Sequence, residues 1–333
     1  NNALSYSVLS QGYLSAGDYV KAIEYANKVI GLLGTDHVFS AIALNVIAQY
    51  NYVTGEYGKA LSIGSEALLL AEKYYGKDNP NNTPYINNMS IYNAAMGNYS
   101  EAIKFGHEAL ELTKESIGYN NIQYALCCNN LALCYLYTGN VQNAIKFGAE
   151  ALDVSKKHMA ANGTVQSLFL NNLSQYNQCM GEYAEAQRQA EEALKVFKNE
   201  GYYDNAFVDY GMLLSNLAMC NYLNDNYNEA LEYGLKALEH VSKKGAGFNQ
   251  IYNVTALQLM AMIYCSFDDV DNIVRYTTEA TDKTNRLILS NFKYLTGYER
   301  GNFWHRYNYW YENFLPNIAY KIRDKKLMST LYD

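Results

Sequence analysis

An all-α chain of about seven helix–turn–helix repeats is predicted by three observations on the 333-residue sequence. The first is a recurring mark, Gly-x-Tyr-x-x-Ala-(Ile/Leu). It begins at Gly17, Gly55, Gly97, Gly139 (with Val141 in the tyrosine place) and Gly181 (with Gln187 in the last place), and degenerate copies begin at Asp225 and Asp268. The second is the spacing of these marks, 38, 42, 42, 42, 44 and 43 residues. Such self-similarity belongs to stacked helical units, each of which buries its apolar side only against its neighbours. The third is a fixed pattern around each mark. A leucine-like residue stands eight positions before it (Leu9, Ile47, Met89, Leu131, Leu173, Leu217, Met260), and small residues follow it at helical offsets, as in Ala102, Gly106 and Ala109 or Ala144, Gly148 and Ala151.

Each mark separates two helices. Its glycine ends the first helix in a left-handed conformation that other residues adopt poorly. Asp18, Asn98 or Asn140 then stands where a side chain can cap the second. Gly64, Gly106, Gly148 and Gly234 fall in mid-helix, where glycine costs about 1 kcal/mol relative to alanine. Close approach of the neighbouring helix explains a recurrence of this unfavourable choice. After Ala280 the pattern fades. Helix is expected from Lys283 to Leu295, Thr296-Gly297 breaks it, and an aromatic stretch comes next (Tyr307, Tyr309, Trp310, Tyr311, Phe314). Pro316 is expected to interrupt before Ile318-Ala319-Tyr320. The whole tail reads as a pair of amphipathic helices covering the apolar end of the array.

Composition narrows the function. Charged residues make up 18% of the chain, below the ~25% of typical domains, and 34 tyrosines with many asparagines replace them. The net charge of -7 argues against a nucleic-acid partner, which needs a basic stripe. No apolar run approaches the ~20 residues of a membrane span, and no secretion signal is visible. The chain opens on Asn1 rather than methionine and reads as a piece of a longer protein. Cys127, Cys128, Cys134, Cys179, Cys220 and Cys265 all fall in expected helices and read as buried small hydrophobes, not a disulfide framework. That fits a reducing, cytoplasmic setting.

The repeat is similar to the tetratricopeptide repeat in its longer variant of about 42 residues. The run Tyr75-Gly76-Lys77-Asp78-Asn79-Pro80 with Asn87-Asn88, and Asn129-Asn130-Leu131-Ala132, resembles the repeats of kinesin light chains and many bacterial relatives. The resemblance covers residues 3–285. It implies a right-handed α-solenoid of helix pairs, the first helix of each pair lining a concave groove, with residues 286–333 forming capping or connecting helices. A second resemblance lies in that tail. Leu295-Thr296-x-x-Glu299-Arg300-x-x-Phe303-Trp304, then Phe314-Leu315-Pro316, then Leu327-x-x-x-Leu331-Tyr332-Asp333, is similar to the segment that joins repeats to the caspase-like domain of bacterial CHAT proteins. Gly297 departs from the family, which has a polar or acidic residue there. The resemblance implies that this chain is the regulatory arm of a cysteine peptidase whose catalytic domain lies downstream.

The chain itself offers no catalytic constellation. His37, His107, His158, His240 and His305 are scattered without a His-x-x-x-His or Cys-x-x-Cys spacing, so neither a metal site nor a cofactor is expected. Gly245-Ala246-Gly247 lacks the lysine of a phosphate loop and reads as a turn. Sequons such as Asn88-Met89-Ser90 fall inside helices. The candidate site is an asparagine ladder. Asn88, Asn130, Asn172 and Asn216 recur nine positions before the mark, and Asn87, Asn129 and Asn171 recur one earlier, with Ser215 in the fourth place. An amide both donates and accepts, so it can match a peptide backbone irrespective of side chains; it can equally tie neighbouring helices together. Tyr19, Tyr57, Tyr99, Tyr183 and Tyr227 are repeat positions and read as packing, whereas Tyr52, Tyr137 and Tyr222 stand near the groove and read as either core or ligand-facing.

The expected function is a protein- or peptide-binding scaffold acting on its own downstream domain. A free-standing adaptor or co-chaperone-like protein is the first alternative, although a carboxylate-capturing groove would be rich in Lys and Arg. A glycan- or pheromone-binding α-solenoid is the second.

Overall fold

The computed structural model describes residues 2–158, 163–199, 210–243, 250–305, 307 and 309–329. The turn at Gly245-Ala246-Gly247 and the terminal Leu331-Tyr332-Asp333 lie outside the described residues. Most of those described are helical, with no strand among them. Seven helix pairs succeed one another in order: α1 (Asn2–Ser15) and α2 (Tyr19–Leu33), α3 (Val38–Val53) and α4 (Tyr57–Tyr75), α5 (Thr83–Ala95) and α6 (Tyr99–Ile117), α7 (Ile122–Tyr137) and α8 (Val141–His158), α9 (Gly163–Met180) and α10 (Tyr183–Asn199), α11 (Tyr210–Leu223) and α12 (Tyr227–Lys243), and α13 (Gln250–Ser266) and α14 (Val270–Phe292). The contacts divide the chain into two units, Asn1–Tyr52 with Tyr57–Asp209 and Val53–Glu56 with Tyr210–Asp333.

Charge assigns the two helices of a pair different roles. None of α1, α3, α5, α7, α9, α11 and α13 contains an Asp, Glu, Lys or Arg. A helix without a charged face suits packing on several sides; α5 buries all but three of its thirteen residues, whereas α1, the first of the chain, buries only Ser7 and Ser10. The second helices carry the charges, spaced for i,i+3 and i,i+4 pairs such as Lys157–Asp153 at 2.7 Å and Arg188–Glu185 at 2.6 Å.

The turns repeat one geometry. Gly17, Gly55, Gly97, Gly139 and Gly181 have φ between 76° and 82°, and Asp225 and Asp268 take the same left-handed conformation at 61° and 50°. Aspartate is among the few residues that enter this region without glycine's freedom. The N–H after the mark closes the turn on a carbonyl five residues back, as in Asp18 to Tyr13 (2.9 Å), Asn98 to Asn93 (2.9 Å) and Asn226 to Asn221 (2.9 Å). Asp18, Asn140 and Asp269 also cap the next helix through their side chains. Asn98 makes no such cap; its amide donates to Asn93 Oδ1 instead.

The mid-helix glycines are notches for the next pair. A Cβ at Gly64 would meet Tyr92, at Gly106 Leu131, at Gly148 Tyr176 and Leu173, and at Gly234 Met260, each within 3.1 Å. The receiving residues stand eight or five positions before the next mark, which is why both series share one period.

At the C-terminus the chain differs from the expected helix pair. It forms α15 (Gly297–His305), a π-helix (Tyr309–Phe314), α16 (Leu315–Ile322) and α17 (Lys325–Ser329). Pro316 interrupts nothing, because it falls in the first turn of α16, where a missing N–H costs no helical bond. Leu315, Ile318, Ala319 and Leu327 pack with Ile273, and Trp310 packs beside Met260 and Tyr276, so this tail covers the α13–α14 pair.

The cysteines divide by position. Cys127, Cys128, Cys134 and Cys220 are buried and Cys265 is half-buried, but Cys179 is exposed, one residue before the end of its helix. Burial pushes the thiols of Cys127, Cys134 and Cys265 up to about 11, which leaves about one thiolate in a thousand at pH 8. Iodoacetamide at pH 8 is therefore expected to modify Cys179 first and the remaining cysteines fully only in denaturant. Fast native labelling of Cys127 or Cys134 would instead show that α7 opens.

Candidate peptide-binding face

The asparagine ladder forms across successive charge-free helices, by a rule that recurs two pairs apart. Asn88 on α5 donates its Nδ2 to Asn45 Oδ1 on α3 at 2.9 Å, and Asn172 on α9 donates to Asn129 Oδ1 on α7 at 2.9 Å. In each case the residue nine before the mark donates to the residue ten before the previous mark. Asn129 and Asn172 are 4% and 8% exposed, so these bonds satisfy groups whose burial would otherwise be costly. Asn171 is fully buried and Asn216 nearly so. Asn88 and Asn172 therefore tie one first helix to the next.

Asn45 is a rung not foreseen from the sequence. Val46 stands where later repeats have their second asparagine, so no Asn-Asn doublet marks the place. The signal was its distance of 42 residues from Asn87.

The rung between α5 and α7 is open. Asn87 Oδ1 is buried without a hydrogen-bond partner, and Asn130 turns its Oδ1 to Asn129 Nδ2 at 3.3 Å. The Asn130 Nδ2 is left as an unengaged donor on a half-buried side chain. Asn88, also half-buried, uses its Nδ2 on Asn45 and keeps its Oδ1 as an unengaged acceptor. Neighbouring first helices thus offer one amide acceptor and one amide donor, with no charge on either helix.

The three candidate tyrosines gather elsewhere, each beside the repeat tyrosine of its own turn or of the turn before. Tyr52 lies 5.6 Å from Tyr57 and 5.7 Å from Tyr92 between ring centroids, Tyr137 stacks on Tyr99 at 6.0 Å, and Tyr222 lies 5.8 Å from Tyr227. Tyr227 in turn donates to Asp225 Oδ1 at 2.6 Å. All three are half-buried, and burial raises the Tyr222 hydroxyl above its ordinary value. They brace the turns.

Comparison with known families agrees with this architecture. Residues 39–115, 82–157 and 129–199 match one model described as tetratricopeptide repeat, and residues 180–245 match another. Together these cover more than half of the chain. The chain belongs to the tetratricopeptide-repeat family. Over 75 residues, 22% of this chain, it is 33% identical to the clustered mitochondria protein homolog of Xenopus tropicalis, a stretch that is only 6% of that protein. Among solved structures it is similar to NprR in complex with its cognate peptide NprX (TM-score 0.65, 15% identity, 91% of this chain and 85% of that one). It is also similar to a Rap protein complexed with competence and sporulation factor (TM-score 0.60, 12% identity, 96% and 87%). These likenesses concern the tetratricopeptide fold. Among the described residues, no helix is long and apolar enough to cross a membrane.

Proposed function

We propose that this chain is a peptide-recognition scaffold whose charge-free first helices read the backbone of an extended segment. The observation that carries the reading is the pair of unengaged amide atoms on α5 and α7, with Asn88 Oδ1 available to a peptide N–H and Asn130 Nδ2 to a peptide C=O. Amides match a backbone without regard to its side chains. The lack of Lys and Arg on these helices argues against capture of a terminal carboxylate. The peptide complexes of NprR and Rap, which share the fold, lend further support.

At a finer level, the proposed role is that of the recognition arm of a bacterial CHAT-type cysteine peptidase, in the cytoplasm, with the array over residues 1–285 and the connecting segment over residues 286–333. The aromatic tail motif supports this, and the tail's packing on α13–α14 gives a route by which binding could act on a downstream domain. Sequencing the gene past Asp333 tests it: a strand-rich continuation with one His and one Cys is expected, and an early stop codon would sink it.

The peptide reading is tested by selecting ligands from a displayed peptide library and titrating them calorimetrically. Asn130→Ala is expected to weaken a selected peptide by about tenfold or more, worth about 1–3 kcal/mol, whereas Asn88→Ala should weaken it and also cost stability, because it strands the buried Asn45 Oδ1. Asn172→Ala should lower stability without changing the affinity. It strands the buried Asn129 Oδ1, at a cost of about 1–3 kcal/mol of stability. No selected peptide, or peptides indifferent to Asn88 and Asn130, would leave the ladder with a structural role alone.

A further inference from the structure

Within each helix pair, the residues four before and eight after the turn residue face one another. In three pairs both are aromatic and stack: Tyr13 on Tyr25 at 5.5 Å, Tyr135 on Phe147 at 5.6 Å and Tyr264 on Tyr276 at 5.4 Å, with interplanar angles below 10°. In three others an asparagine (Asn51, Asn93, Asn221) meets a large apolar position (Ile63, Phe105, Tyr233). The α9–α10 pair alone is polar at both places. Asn177 Nδ2 donates to Gln189 Oε1 at 2.9 Å, and Gln189 Nε2 to Glu185 Oε1 at 2.8 Å; both amides are 8% exposed.

A second change compounds the first. One repeat earlier, His107 of α6 closes over the aromatic stack: its Nε2 lies 2.9 Å from the Tyr135 hydroxyl, and its ring is 6.1 Å from both Tyr135 and Phe147. The equivalent residue facing the α9–α10 pair is Ala149. With three rings replaced by two amides and a methyl, a cleft of about 440 Å³ opens, walled by Ile145, Ala149, Leu152 and Leu173 and floored by Asn177 and Gln189. Its volume is in the range of small-ligand sites. Asp153 stands at the rim with one carboxylate oxygen on Lys157 and the other unengaged.

We propose that this cleft binds an aromatic side chain of a partner polypeptide, the incoming ring taking the place that the protein's own rings fill one repeat earlier. Aliphatic walls and an amide floor suit the faces of a ring. The free Asp153 oxygen favours tyrosine over phenylalanine, since a phenolic O–H can donate to it. The site lies on α8, α9 and α10 and involves neither Asn88 nor Asn130, so its success or failure is separate from that of the backbone-reading face.

The test is a titration of the full chain, methyl-labelled at Ile and Leu, monitored by NMR. The probes are N-acetyl-tyrosinamide, N-acetyl-phenylalaninamide and N-acetyl-leucinamide. Saturable ring-current shifts at Ile145, Leu152 and Leu173 are expected, several-fold tighter for the tyrosine probe than for the phenylalanine probe and absent for the leucine probe. Asn177→Tyr with Gln189→Phe rebuilds the stack and should abolish the shifts. Ala149→Leu narrows the cleft from the other wall and should do the same if the double variant folds poorly. Shifts that do not saturate, that appear equally with leucinamide, or that survive in the folded variants would overturn the proposal.

Discussion

Trp310→Ala is expected to release the C-terminal tail from the last helix pair. The indole is 4% exposed, stacks on Phe314 with centroids 4.6 Å apart, and donates its Nε1 to Thr281 Oγ1 of α14 at 3.0 Å. It packs among Leu257, Met260, Ile263 and Tyr276, residues of α13 and α14 that would otherwise form the bare end of the stack. Truncating a buried tryptophan costs about 3–5 kcal/mol. In a repeat array a loss at the end is felt first by the terminal pair, because each pair is held by its neighbours. The denaturant midpoint of α13–α14 should therefore fall, and limited proteolysis should cut within residues 309–329 under native conditions. Undiminished protection there would assign the docking to the Leu315, Ile318 and Leu327 group on Ile273 instead.

The features legible in the sequence were those that recur with the period. The marks gave seven turns, and even Asp225 and Asp268, which lack the glycine, hold the left-handed conformation. The notches were legible because an unfavourable residue recurred four times. Less legible was anything decided between repeats. The ladder bonds join residues 43 apart, and only the structure separates amides used in pairing from those left over. Asn45 escaped notice because it stands single. The division of charge between first and second helices is written in the sequence, but it becomes visible only once the helix boundaries are drawn. In the tail, periodicity ends and docking takes over. The π-helix at Tyr309–Phe314 carries Trp310 and Phe314 onto α14, a placement that no local pattern encodes. Cys179 departs from the buried cysteines because it lies near the end of its helix, beside the turn.

Gly64→Val should destabilise the array by about 2–3 kcal/mol, although valine is the better helix former by a few tenths of a kcal/mol. A Cβ at Gly64 would lie 2.7 Å from Tyr92 Cε2 and 2.9 Å from its Cδ2. That ring cannot swing aside. It is 1% exposed, packs near Tyr52 and belongs to the core shared by α3 to α9. The added γ-carbons must then force α4 and α5 apart, which breaks the close approach on which the repeat depends. Gly31 makes the contrast. It is also helical, nothing lies within 4 Å of the added carbon, and Gly31→Ala should stabilise by up to about 1 kcal/mol. A double-mutant cycle with Tyr92→Ala isolates the steric part, because the second substitution removes the atoms that the valine meets. Urea denaturation of the four proteins should give a coupling of more than about 1 kcal/mol in the relieving direction. Additive losses would mean that something other than Tyr92 demands a glycine at position 64, with the Met89 sulfur at 3.4 Å the next candidate.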